Sequence, residues 1–166
     1  MAVKEILTYP DEQLKIPSEP VERFDSELVE FINILEETRK SGPGAVGIAA
    51  PQIGQHQRIA IVDVSGRKKT RNHGYLLLIN PEITKWEGLA VGREGCLSVP
   101  DYTGNVVRAE SIELSAYDIH GKPFNIETDG FEARAIQHEI DHLDGLLFLD
   151  RLVSRRNDLF ERKNYK

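Results

Sequence analysis

The sequence predicts an α+β fold in which antiparallel strands wrap around one central helix. Three observations predict it. Apolar residues recur at helical spacing in one stretch near the N-terminus and another near the C-terminus, whereas the residues between them form short runs rich in β-branched and aromatic side chains. A polar turn joins two of these runs as a hairpin, which favours antiparallel pairing. No repeat, low-complexity tract or shift in composition divides the chain, so residues 1–166 read as a single domain with one sizeable core.

Pro10, Pro17 and Pro20 punctuate the stretch from Ile6 to Val21 and predict an irregular, extended segment. Asp25 or Ser26 then offers an N-cap for a helix carrying Leu28, Phe31, Ile32 and Leu35 on one face and Glu27, Glu30, Glu36 and Glu37 on the others. Ser41-Gly42-Pro43-Gly44 ends it. The following stretch, Ala45 to Gly54, is dominated by small residues, which let another backbone approach closely. It lacks the Gly-Lys-Ser/Thr ending of a phosphate loop.

Strand composition marks Ile59 to Val64, Tyr75 to Ile79, Ile83 to Glu87 and Val106-Val107. Between the first two, Ser65 to Gly74 carries Arg67, Lys68, Lys69 and Arg71 and reads as a solvated loop. From Ser111 to Tyr117 the pattern alternates, with Ile112, Leu114 and Ala116 on one face. Asp118-Ile119-His120-Gly121 turns the chain into Pro123 to Thr128, and His120 is read as a surface residue. A second helix is predicted over about Phe131 to Leu143. The tail from Leu152 to Lys166 mixes both signs of charge and is expected as a solvated helix or frayed end.

A net charge of −6 excludes a nucleic-acid grip dominated by electrostatics, and no direct nucleic-acid motif is present. No apolar run approaches the roughly 20 residues needed to cross a bilayer. Met1 to Glu5 lacks the apolar stretch of a secretory signal. A lone cysteine, Cys96, cannot form an internal disulfide, which fits a reducing cytoplasm.

The chemistry concentrates in the second helix, at Gln137-His138-Glu139-Ile140-Asp141-His142. At about 100° per residue, His138 and His142 fall on one face, where two imidazoles can grip one metal ion. Glu139 sits on the shoulder of that face, placed to handle a proton rather than to bind the metal. The bland alternative is a solvated face that happens to hold two histidines. A catalytic site needs a third protein ligand and an open position for water. Downstream, Gly145 matches a metzincin pattern, but Phe148 stands at its ligand position and cannot bind metal. Glu161 falls near the spacing of a thermolysin-like peptidase, so that alternative stays open on spacing alone. A structural metal module would require a fourth ligand, and neither Asp141 nor Asp144 is well placed on the helix. Upstream, the candidate is Cys96.

Three motifs occur together and in order: Gly47-Ile48-Ala49-Ala50-Pro51-Gln52-Ile53-Gly54, Glu94-Gly95-Cys96-Leu97-Ser98, and Gln137 to His142. With these, and with Tyr9-Pro10-Asp11-Glu12-Gln13-Leu14, the chain resembles the peptide deformylases over nearly its whole length. The resemblance implies a metal-dependent hydrolase that removes the formyl group from N-formylmethionyl nascent peptides and releases formate. It implies Cys96, His138 and His142 as ligands of one divalent ion, Fe2+ in many members and Zn2+ or another ion in others. It implies Glu139 as the base, and the Gln52 side-chain amide and Leu97 backbone N–H as donors to the developing oxyanion. Val46, Gly47, Phe131, Arg134 (through its methylene stem) and Ala135 are implied for the methionine pocket. The main chain near Val46 and Gly95 is implied to pair with the peptide. Such a substrate implies transient association with the ribosome.

Two expectations go beyond that pattern. Arg134 lies one turn before His138 and Glu94 two residues before Cys96, so a shared ion predicts a Glu94–Arg134 ion pair bracing the two segments. Family members commonly carry Gly-x-Gly where this chain has Ala45-Val46-Gly47. A left-handed backbone at Ala45 would add roughly 1 kcal/mol of strain, which Gly44 is placed to absorb.

Overall fold

A computed structural model describes residues 3–67 and 69–162; Met1, Ala2, Lys68 and the last four residues of the tail lie outside the described residues. Helix α1 spans Ser26–Ser41, with the Asp25 side chain accepting a hydrogen bond from the Leu28 N–H at 3.1 Å as its N-cap. Strands β1 (Gly47–Ala49), β2 (Ile59–Val62), β3 (Leu76–Glu87), β6 (Ser111–Tyr117) and β7 (Pro123–Asp129) form an antiparallel sheet in the order β1-β2-β3-β6-β7. Strands β4 (Ala90–Cys96), β5 (Val99–Arg108) and β8 (Leu159–Glu161) form a second antiparallel sheet in the order β4-β5-β8. Helix α2, Gly130–Leu143, packs against β1 and β2. The architecture is α+β, as predicted.

The apolar spacing of α1 is realised directly. Leu28, Ile32 and Leu35 are buried, and the cluster continues into Ile48, Ile59 and Ile61 of β1 and β2. A second cluster joins Ile112, Leu114 and Ala116 of β6 to Ala133, Ile136 and Ile140 of α2. Each fully buried aliphatic side chain contributes about 1.5–3 kcal/mol of transfer free energy, so the first layer holds α1 on the sheet and the second holds α2. The third cluster, with Leu14, Val99, Val106 and Phe148, surrounds Cys96.

Three expectations need correction. Tyr75–Ile79 and Ile83–Glu87 are one strand, β3, which continues through Asn80-Pro81 across a register shift between Ile79 and Glu82. A bulge of this kind tolerates proline because no ladder hydrogen bond is demanded of it. Asn80 sits at φ 50°, and its side chain closes both hydrogen bonds of the Val21 backbone, accepting at 2.8 Å and donating at 3.0 Å. Strand β4 was not predicted, because two glycines and two charges hide it; pairing with β5 from Ala90↔Arg108 to Cys96↔Val99 makes it. The tail forms neither a helix nor a frayed end within the described residues, for Leu159–Glu161 pairs with Tyr102–Gly104 of β5. The Ser65–Gly74 loop is solvent-exposed at most of its described residues, as expected, and is anchored at two points: Arg71 pairs with Asp129 at 3.1 Å, and the His73 N–H donates to the buried Glu132 carboxylate at 2.6 Å.

Asn80→Ala removes both bonds to Val21 and leaves a Cβ-bearing residue at positive φ without its side-chain compensation. It is expected to lower unfolding free energy by about 1–3 kcal/mol in urea titrations, with an unchanged m-value.

Candidate metal centre

Ten positions of α2 are buried, and they include Glu132, His138, Glu139, Asp141 and His142. A helix so enclosed needs a partner for each polar group, and the partners define the site. The donor atoms of Cys96, His138 and His142 lie within 4.8 Å of one another. Cys96 Sγ is 3.3 Å from His142 Nε2, close to the edge of a tetrahedron built from metal–ligand bonds of about 2.0–2.3 Å. His138 turns its Nδ1 to Glu94 at 2.8 Å, so its Nε2 is the nitrogen left for the cluster. The other ring is edge-on at 5.1 Å between centroids. A soft thiolate with two imidazoles suits zinc or iron, and the three residues therefore fit a resident divalent ion.

Behind His138 lies a chain of charges. Glu94 is buried and accepts from Arg108 Nε at 2.8 Å and Nη2 at 2.9 Å, from Arg134 Nη1 at 2.7 Å and from His138. Arg108 reaches on to Asp141 at 2.6 Å, and Asp141 also accepts from Arg151. The predicted Glu94–Arg134 pair is thus present, but Arg108 was missed. Its signal was available: Arg108 alternates with Val106 on the buried face of a strand, where an arginine demands a carboxylate. Burial pushes the Glu94 carboxyl up, but hydrogen bonds with His138 and Arg108 outweigh it and hold Glu94 well below the usual carboxylate range. For His138, burial opposes the charge, while Cys96 and Glu94 together raise it well above an ordinary imidazole. His142 is pushed down, first by burial and then by its neighbour His138.

Glu139 is enclosed and its Oε1 has no hydrogen-bond partner. Burial dominates, and raises the carboxyl to about 7. A Cβ on Gly47 would lie 2.6 Å from Glu139 Oε2, so the absence of a side chain at Gly47 makes room for this carboxylate. Gln52 is also buried. Its Oε1 accepts from the Ala49 N–H at 2.9 Å, which turns its Nε2 towards Ser98 Oγ at 3.0 Å and Cys96 Sγ at 3.6 Å. Ser98, unmarked by sequence reasoning, fixes that amide.

These groups face a cleft of about 250 Å³. Val46, Gly47, Gln52, Gly95, Cys96, Leu97, Phe131, Arg134, Ala135, His138 and Glu139 all line it, so the expected residues converge on one concavity with His142 just behind. Arg67 and Arg93 line it too and were not anticipated. Gly44 adopts φ 68° while Ala45 keeps negative φ, so the alanine causes no left-handed strain. Phe148 stacks on His138 at 6.4 Å instead of offering a ligand. Glu161, the third ligand a thermolysin-like centre would need, is exposed on β8 and outside the cluster.

Comparison with known proteins identifies the family and the fold. The family model described as polypeptide deformylase matches residues 3–158. A peptide deformylase of Thermodesulfovibrio yellowstonii is 42% identical over 163 residues, covering 98% of this chain and 97% of its own. Peptide deformylase 1 of Bacillus cereus is 46% identical over 153 residues, 92% of this chain and 94% of its own. Among solved structures, a Legionella pneumophila peptide deformylase superposes with TM-score 0.84 at 42% identity, covering 93% of this chain and 90% of that one. A Synechococcus elongatus peptide deformylase in complex with actinonin does so with TM-score 0.84 at 37% identity, covering 92% and 80%.

Two outcomes follow from the buried charges. Glu94→Gln strips Arg134 of this counter-charge and leaves Arg108 with Asp141 alone; it is expected to destabilise by about 3–5 kcal/mol and to weaken metal retention about 10- to 100-fold in chelator competition. Protein stripped by a chelator should lose stability as pH rises from about 4.5 to 7, because the folded state keeps the Glu139 proton that the unfolded state has released. Glu139→Gln should remove that part of the slope, read as the difference between two pH series of urea midpoints.

Proposed function

The chain belongs to the polypeptide deformylase family, and from that premise we propose that it hydrolyses the formyl amide of N-formylmethionyl peptides, releasing formate and a free amine. One observation carries the reading: three metal-capable donors within 4.8 Å of one another beside the buried Glu139, which faces an open cleft.

Cys96, His138 and His142 would hold the ion, which we infer to be Fe2+, with Zn2+ the other ion that the donor set suits. When bound, such an ion supplies a Lewis acid that polarises the formyl carbonyl and makes a water acidic near neutrality. Glu139 takes the proton of the attacking water and returns it to the departing amine as the C–N bond breaks. Its enclosure supports this role, since a base tuned upward by burial holds and releases a proton near neutral pH. Gln52 Nε2 and the Leu97 N–H donate to the oxygen that gains charge; the anchoring of Gln52 by Ala49 and Ser98 fixes one of them beforehand.

Val46, Gly47, Phe131, Ala135 and the stem of Arg134 form the wall for the methionine side chain. Gly95 lies on an edge strand, β4, whose free side can take the peptide backbone as a further strand. Nascent chains as substrates place the enzyme in the cytoplasm and in transient contact with ribosomes; no helix among the described residues is long and apolar enough to cross a membrane. Residues 1–166 act as one catalytic domain in this reading.

The test is formate release from formyl-Met-Ala-Ser by anaerobically prepared protein whose metal content is measured. Chelation should abolish release, and returning Fe2+ should restore it. Cys96→Ser should lose both metal and activity. Glu139→Gln should keep the metal while kcat falls about 10²- to 10⁴-fold, and Gln52→Ala should cost about 10²–10³. Full metal content with no formate from the wild-type chain would refute the reading.

A further inference from the structure

We propose that Arg93 reads the second residue of the substrate and favours a carboxylate there. The inference rests on the deformylase reading and deepens it. Strand β4 is an edge strand, with β5 on only one side. Successive side chains of a strand point to opposite faces. A Cβ on Gly92 would lie 2.9 Å from the Arg134 guanidinium, and Glu94 pairs with Arg134 at 2.7 Å, so Gly92 and Glu94 share the face of the metal cluster. Arg93 and Gly95 therefore share the opposite face.

A peptide laid along the open edge of β4 alternates in the same way. With its methionine directed to the face of Arg134 and Ala135, the second side chain emerges on the face of Arg93 and the third returns to the first face. Arg93 lines the cleft and is held there rather than waving in solvent. Its guanidinium lies 3.9 Å from the Phe160 ring centroid, its Nε donates to Asn105 Oδ1 at 3.1 Å and its Nη1 to Thr103 Oγ1 at 3.4 Å. Those partners are neutral. The carboxylate in this network, Asp158, is reached only through Asn105. The cleft also collects Arg67 and Arg162, although the whole chain carries a net charge of −6. A stacked, preorganised guanidinium is suited to a planar carboxylate.

Because Arg93 is exposed, the effect is one of preference: roughly two- to fivefold, the range of an exposed ion pair. The experiment compares kcat/KM for formyl-Met-Glu-Ser, formyl-Met-Gln-Ser and formyl-Met-Lys-Ser in wild type and Arg93→Gln. The Glu peptide should be preferred over its isosteric Gln counterpart by two- to fivefold and over the Lys peptide by more. The preference should shrink at about 0.5 M NaCl, where charges are screened within a few ångströms. Arg93→Gln should at least halve the Glu/Gln ratio, and Arg93→Glu should reverse the Glu/Lys order. Formyl-Met-Ala-Glu, with its charge on the other face, should respond less to Arg93→Gln than formyl-Met-Glu-Ser does. Equal Glu and Gln rates in the wild type, a ratio unmoved by Arg93→Gln, or an equal response of the two acidic peptides overturns the proposal. No turnover of any of these peptides by the metal-loaded protein overturns the deformylase reading itself, an outcome distinct from equal turnover.

Discussion

The carboxylate of Glu94 is the interaction on which the rest of this structure depends. It is almost out of contact with water, yet it accepts from Arg108, Arg134 and His138 at once. Those contacts come from two elements other than its own: Arg108 from β5, Arg134 and His138 from α2, with Glu94 itself on β4. A single buried anion therefore fastens the strand that carries Cys96 to the helix that carries the histidines. Removing water from so many charges is costly, and only mutual pairing offsets it. The same contact fixes the His138 ring with Nδ1 towards Glu94, which commits Nε2 to the cluster.

Around that brace the chain places small residues wherever a side chain would obstruct chemistry. Gly47 yields space to Glu139, and Gly92 yields space to the Arg134 guanidinium. Gly42 does the same for Leu97, whose Cδ1 would lie 2.6 Å from a Cβ there. Gly47 lines the cleft itself, Gly42 and Gly92 let two residues of its wall, Leu97 and Arg134, lie close to backbone, and the layers beneath support that wall. Those layers are ordinary: β-branched residues of β1 and β2, with α1 and α2 packed on them.

Much of this was legible in the sequence, and the reasons are physical. The His138/His142 spacing, the α1 stripe and the β6 alternation are local periodicities, and each survives folding because burial rewards it. Cys96 was legible only as part of a motif, since one cysteine has no periodicity to announce it. Strand β4 was hidden because glycine and charge lower β propensity, and only pairing with β5 makes it a strand. The β8 strand was hidden for a related reason, as three residues at a chain end carry no pattern of their own. Arg108 was legible in principle, because its position in the alternation of β5 required a buried partner. Arg67 and Arg93 were not, for an exposed arginine looks alike on any surface until a cleft opens beside it.

The enclosure of Glu139, the proposed base, has a physical consequence for its proton affinity. An exposed carboxylate would be ionised throughout the physiological range and a weak acceptor of a proton; burial lifts Glu139 to about 7, near the point where taking up and giving back are balanced. That enclosure leaves Oε1 without a partner, which is unfavourable in a folded protein. The brace one turn away shows how the unfavourable term is tolerated: Arg108 pairs with Glu94 and Asp141, and its positive charge also bears on Glu139. The charges of α2 are therefore arranged as two classes on one helix. Asp141 and Glu132 are satisfied and hold the scaffold, whereas Glu139 is left unsatisfied where the cleft opens. Glu139 is thus a carboxylate that the fold leaves with an unpaired oxygen at the cleft, and its neighbours supply the stability that permits this.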